Sequence, residues 1–153
     1  MGLRSAREEI FFLSRWLRAP LKTGSVRPSG RDLTRLIART VSRTGPDEWI
    51  VELGGGTGTI TKACIETGVD PAQIVVLEKA PTFCALIRQR FPEVTVIRGD
   101  ARHLKRLLRE RELGPFKAVL SGLPLLSIPE TQRNAILSQS FDVLAQDGVF
   151  VQF

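Results

Sequence analysis

From Trp49 onward, short apolar runs alternate with stretches of helical periodicity, and few folds accept that pattern. Trp49-Ile50-Val51-Glu52-Leu53 reads as a buried strand, and a glycine turn after it leads into a helix through about Glu66. Gln73 to Glu78 is the second strand, followed by a helix from Pro81 to Arg90, where proline suits the first helical position. Val94 to Ile97 is the third, with a helix over roughly Ala101 to Glu112. Lys117 to Ser121 is the fourth, with a helix from Pro129 to Leu144, and Val149 to Phe153 is the fifth. Strands separated by single helices imply right-handed crossovers, so the predicted fold is α/β, a mostly parallel sheet with helices on both faces. With 153 residues there is room for one such domain, set at 46–153.

The residues ahead of it differ in charge. Residues 1–45 carry ten Lys or Arg against three acidic residues, a net of +7, while the other 108 carry twelve against thirteen, a net of −1. Such asymmetry points to an anionic partner, nucleic acid phosphate or a membrane surface. Two helices are expected in this arm, which packs with the domain as one unit. In the first, Leu3, Ala6, Ile10, Leu13 and Leu17 recur at helical spacing, Phe12 and Trp16 widen the apolar face, and Arg4, Arg7, Arg15 and Arg18 line the other. Pro20 stops that pattern. A basic helix with large aromatics on its apolar side has the composition of an interfacial membrane helix. The second starts where Ser29 and Asp32 stand in capping register and buries a stripe of Leu33, Leu36, Ile37, Thr40 and Val41. Arg31, Arg35, Arg39 and Arg43 follow one another on its other side, either a solvated face or a surface for anions.

Several chemistries are excluded. Two cysteines without a C-x-x-C spacing and a single histidine, His103, do not assemble a zinc site or a disulfide framework, so no metal is expected. No G-x-S-x-G elbow accompanies His103, which excludes a serine triad. No apolar run approaches the roughly 18 to 20 residues that span a bilayer.

In open parallel sheets ligands bind outside the carboxyl ends of the strands. The first strand ends in Glu52-Leu53-Gly54-Gly55-Gly56-Thr57-Gly58, where glycines admit positive φ and let a ligand approach the backbone. A dinucleotide fingerprint fails, because its last glycine falls at Thr59, and a P-loop fails for want of Gly-Lys-Ser/Thr. The second strand ends in Glu78, a carboxylate suited to a ribose diol. Gly99-Asp100-Ala101 follows the third, with a carboxylate placed to receive an adenine amino group. Three such signals at consecutive strand ends predict a nucleoside-bearing ligand.

The series Val51 to Gly58, then Glu78, then Gly99-Asp100-Ala101 resembles the class I S-adenosylmethionine-dependent methyltransferases, with their Rossmann-like fold. More narrowly, Trp16 to Val26 and Ser121-Gly122-Leu123-Pro124-Leu125-Leu126 resemble the bacterial phospholipid N-methyltransferases. That family methylates phosphatidylethanolamine toward phosphatidylcholine and reaches the membrane through a basic amphipathic helix. The resemblance implies that Gly54, Gly56 and Gly58 lie against the methionine part of S-adenosylmethionine, or of its product S-adenosylhomocysteine. It implies that Glu52 organises the loop, Glu78 holds the ribose, and Asp100 with Ala101 holds the adenine.

Ser121 to Leu125 stands where amino methyltransferases carry Asn-Leu-Pro-Tyr or Asn-Pro-Pro-Tyr, so Ser121 and Leu123 are the implied catalytic positions. Carbonyl oxygens near Leu123 would favour a desolvated amine, and His103 is a weaker candidate for a general base. Leu125 replaces the aromatic that would stack on a base, which opposes a nucleic-acid substrate. The expected partners are therefore a phospholipid and an anionic membrane surface, and the expected location is cytoplasmic, peripheral on the inner membrane face. An rRNA adenine methyltransferase and a truncated, non-catalytic cofactor- or membrane-binding module remain the alternatives. The resemblance also implies two further strands after the fifth, absent from this sequence, so a missing C-terminal segment or a partner chain is expected to cover that edge.

Overall fold

The computed structural model describes residues 30–41, 45 and 47–153. The first expected helix, with Arg4, Arg7, Phe12, Arg15, Trp16 and Arg18, lies outside the described residues, as do Ser29 and Arg43. The elements are α1 (Gly30–Val41), β1 (Trp49–Leu53), α2 (Thr59–Glu66), β2 (Ile74–Glu78), α3 (Pro81–Arg90), β3 (Thr95–Arg98), α4 (Leu104–Arg109), β4 (Phe116–Ser121), α5 (Glu130–Val143) and β5 (Leu144–Gln152).

All five strands are parallel, in the order β3-β2-β1-β4-β5. The order follows from the alternation. Each strand after β1 is laid outward through β2 to β3, and the chain then returns across the sheet to place β4 on the other side of β1. The reversal leaves a crevice at the carboxyl ends of β1 and β4, where two connections leave in opposite directions.

Side chains alternate across each strand, so both faces of the central strands must be apolar and both must be covered. Ile50, Val76, Ala118 and Leu120 face α1, α2 and α3, packing with Ile37, Val41, Ile60, Ala63 and Ile87. Val51, Leu53, Val75 and Val119 face α4 and α5, packing with Leu104, Leu108 and Ile136. A large aliphatic side chain buried this fully contributes about 1.5–3 kcal/mol, so the central strands anchor everything attached to their ends. In α1, Ile37 and Val41 are buried while Arg31, Arg35 and Arg39 are exposed, as the stripe predicts.

Several boundaries differ from the sequence reading by a residue or more. The helix expected over Ala101 to Glu112 opens with a 3-10 turn at Ala101–His103, because the Asp100 side chain accepts from Arg102 N–H at 2.9 Å. It closes in a Schellman motif, with Leu113 N–H donating to Leu108 O, Glu112 N–H to Arg109 O, and Glu112 at φ 55°. β5 begins at Leu144 rather than Val149, since Leu144 already pairs with Phe116 before the register jumps to Ala118 and Val149. The extra residues form a bulge whose Asp147 binds Lys117. β3 starts at Thr95, one residue later than expected. Among the described residues no helix is long and apolar enough to cross a membrane.

Candidate active site

The turn after β1 supplies the floor of the crevice. Gly54, Gly56 and Gly58 adopt φ of 76°, 50° and 85°, a region that costs a side-chain-bearing residue roughly 1–2 kcal/mol. A Cβ at Gly56 would meet no atom within 4 Å, so the bare backbone there faces open space. Gly54 lines the cleft, and a Cβ there would stand 2.7 Å from Leu123 Cδ2.

Glu78, at the end of β2, is locked in place. Its Oε2 accepts from Gly56 N–H at 2.9 Å and its Oε1 from Ala80 N–H at 2.8 Å. Each oxygen keeps a second lone pair, which is what a ribose diol requires. The cleft it lines has about 630 Å³ of space, counting what is open to solvent, and its opposite wall is apolar, made by Leu123, Ile128 and Ile136. An anchored acceptor facing aliphatic carbon suits a nucleoside, with its polar sugar and flat apolar base.

Other expected site residues are placed differently. Asp100 lines the cleft, but both oxygens are engaged: Oδ1 accepts from Arg102 N–H at 2.9 Å and Nε at 3.0 Å, and Oδ2 from Arg102 Nη2 at 2.8 Å and Lys79 Nζ at 3.4 Å. Arg102's hydrogen bonds hold the Asp100 carboxyl well below the usual carboxylate range. For Asp100 to receive an adenine amino group, Arg102 or Lys79 must turn away. Ala101 lines the same wall.

Glu52 is 1% exposed and not among the residues lining the cleft. It lies on the α2 side of the sheet, where Thr61 Oγ1 donates to its Oε2, while its buried Oε1 accepts from nothing among the described residues. Burial pushes its carboxyl up to about 8, against the opposing Thr61 hydrogen bond and with a further push from Glu78. Glu52 therefore braces α2 beneath the glycine turn.

Ser121 and Leu123, the expected catalytic pair, stand at the turn that leaves β4. Ser121 is fully buried, and its Oγ accepts from Leu123 N–H at 3.4 Å, so the hydroxyl shapes the turn and does not face the cleft. The Leu123 carbonyl accepts from Leu125 N–H at 2.8 Å and from Gln152 Nε2 at 2.8 Å. Both lone pairs are filled, so of the carbonyls near Leu123 this one is not free to take an amine. What Leu123 presents to the cleft is its side chain. His103 is exposed and does not line the cleft, so it is not placed as a base.

Some contributors escaped the sequence reading. Arg90 Nη1 donates to Thr57 O and its guanidinium lies 5.4 Å from the Phe91 ring centroid. Phe91 closes under Gly58, where a Cβ would stand 2.7 Å from its ring. Together they clamp the turn from the end of α3. Gln132 of α5 reaches the cleft, as does Lys79. No pattern marks these residues, because their role depends on which helix end falls beneath which loop. Among the described residues no group of His, Cys, Asp or Glu is arranged to hold a metal ion.

A doubly wound parallel sheet, a glycine turn at its switch point and a strand-end glutamate beside an apolar wall define a nucleoside-cofactor enzyme of the Rossmann-like class. The chain belongs to the methyltransferase domain family, whose model matches residues 50–148. S-adenosylmethionine is the cofactor, and the free acceptors of Glu78 and the bare backbone at Gly56 fit it.

The chain is 32% identical over 146 residues to an ornithine lipid N-methyltransferase from Singulisphaera acidiphila, covering 94% of this chain and 76% of that protein. It is 38% identical over 96 residues to ribosomal RNA small subunit methyltransferase A from Chlorobium phaeobacteroides, covering 61% of this chain and 33% of that protein. Thus it spans about a third of the length of that rRNA enzyme. Among solved structures, an amino pentose methyltransferase from Micromonospora echinaspora with S-adenosylmethionine bound superposes with a TM-score of 0.65 at 23% identity, over 90% of this chain and 54% of that one. A TehB-like methyltransferase from Corynebacterium glutamicum superposes with a TM-score of 0.59 at 20% identity, over 92% and 69%. At these identities the superpositions speak for the fold.

Proposed function

We propose that this protein methylates the amine of a membrane lipid headgroup, phosphatidylethanolamine first among them, while docked peripherally on the inner membrane face. The observation that carries the reading is the extent of similarity to the ornithine lipid enzyme, which takes in 94% of the chain. The likeness to the rRNA enzyme stops at 61%. Phosphatidylethanolamine and an ornithine lipid share an amine at the polar end of a lipid.

The cleft suits such an acceptor. Its wall includes Leu123 and Ile128, and Leu126, between them in sequence, is 71% exposed, so the segment offers aliphatic surface for a headgroup with acyl chains behind it. Leu125 is aliphatic and buried, and among the described residues no aromatic side chain lines the cleft to stack on a flipped base. Bound S-adenosylmethionine supplies an electrophilic methyl on sulfur. Glu78 orients the sugar, the glycine turn admits the methionine chain, and Leu123 and Ile128 keep water from the acceptor. The amine must arrive neutral. With no tyrosine in the chain and His103 outside the cleft, its proton is released to solvent at the mouth.

Incubation with methyl-labelled cofactor and vesicles of phosphatidylethanolamine and phosphatidylglycerol, followed by thin-layer separation, tests the reading. Label in mono- or dimethylated lipid is the expected result. Label in small-subunit rRNA with none in lipid would replace it by the adenine methyltransferase reading, which the rRNA relatives and the exposed Arg31, Arg35 and Arg39 favour.

A further inference from the structure

β5 lies beside β4 with Gln152 opposite Ser121, which sets the Gln152 amide next to the Gly122-Leu123-Pro124 turn. Gln152 Nε2 donates to the Leu123 carbonyl at 2.8 Å and to the Phe153 carbonyl at 2.8 Å. Its Oε1 is buried and accepts from nothing among the described residues. Reversing the amide would set that oxygen against two carbonyls, so the pairing fixes its orientation. Leu123 bears on the cofactor turn in its own right, since its Cδ2 fills the place of a Cβ on Gly54. Gly122 N–H is tied to Leu53 O on β1 at 2.9 Å, and the Leu123 carbonyl is tied across to β5 through Gln152.

A side chain kept here only for packing would do better without an unpaired buried oxygen, because a buried acceptor without a donor is unfavourable. Apolar residues of similar length avoid that cost. The geometry points to Gln152 as a positioning residue that holds Leu123, and with it the apolar wall of the cleft, against the cofactor turn for methyl transfer. The inference rests on the reading that this turn forms the acceptor side of the site.

Hydrogen exchange followed by NMR on the full chain reads the bond without any methyl acceptor. The Gln152 side-chain N–H protons should exchange at least about tenfold slower than those of exposed Gln132. Gln152→Met keeps the length and removes both donors. In it, the Leu125 N–H, which shares the Leu123 carbonyl, should exchange at least about tenfold faster while β1 amides keep their rates. Gln152→Glu, which sets a carboxylate against that carbonyl, should do the same. In both variants S-adenosylhomocysteine affinity should stay within roughly threefold and turnover on an amino-lipid should fall at least about tenfold.

Rapid exchange of the Gln152 side chain in the unmodified protein would overturn the assignment with no variant needed. So would unchanged Leu125 exchange in Gln152→Met, or an equal loss of stability, cofactor affinity and turnover, which marks a packing role. An unmodified protein that methylates no amino-lipid ends the lipid reading, and the exchange data then decide the role of Gln152 alone.

Discussion

Removing the Glu78 carboxylate is the sharpest test of the cofactor site, because the structure states what would be lost. Both oxygens are oriented by backbone N–H groups, from Gly56 at 2.9 Å and Ala80 at 2.8 Å, each keeps a second lone pair, and Glu78 lines the cleft. Hydrogen bonds to a charged group are worth about 1.5–3 kcal/mol. Even one such bond to the ribose makes Glu78→Ala weaken S-adenosylhomocysteine binding by roughly 10- to 150-fold. Glu78→Gln should lose nearly as much, since its NH2 must face one of two backbone donors. Calorimetric titration gives the affinity, and thermal melting checks that the fold persists, with exposed Glu93→Ala as control. A folded Glu78→Ala with affinity within about twofold of the unmodified protein would refute the assignment.

Three further outcomes are expected. Gly56→Ala places a methyl where no atom lies within 4 Å, so it should lower stability by only about 1 kcal/mol while S-adenosylhomocysteine binding falls far more, and matched melting and calorimetry would show the split. The Glu52 carboxyl, at about 8 folded against 4.5 ordinarily, holds a proton that the unfolded chain releases, so stability should fall as pH rises from 4.5 toward 8, by up to about 1.4 kcal/mol per unit. Melting curves from pH 5 to 8 should show that slope and Glu52→Gln should flatten it; an unchanged slope would mean another group titrates. Leu126→Asp, and separately alanine at Phe12 and Trp16, should lower sedimentation with anionic vesicles without changing cofactor affinity, and unchanged sedimentation in both would remove the docking surface proposed for the rim and the arm.

Local rules account for what was legible in the sequence. The βα alternation, the stop at Glu78 and the glycines at positive φ follow from side-chain periodicity and backbone sterics within a few residues, and each is found where expected. The boundaries that moved did so through contacts periodicity does not carry, one local, the Asp100 cap, and one tertiary, the pairing of Phe116 with Leu144 on the neighbouring strand.

Tertiary structure decided the rest. Whether Leu123's carbonyl was free depended on Gln152, 29 residues away on the neighbouring strand. Thr57's carbonyl found Arg90 at a distance of 33 residues. Glu52, legible as part of the motif, turned out to face α2 because strand alternation gives it the same side as Ile50. A residue type declares which hydrogen bonds it can make. Which of them are already taken is set by strand register and helix placement, because a lone pair filled from another element is closed to a ligand and no local pattern records that filling.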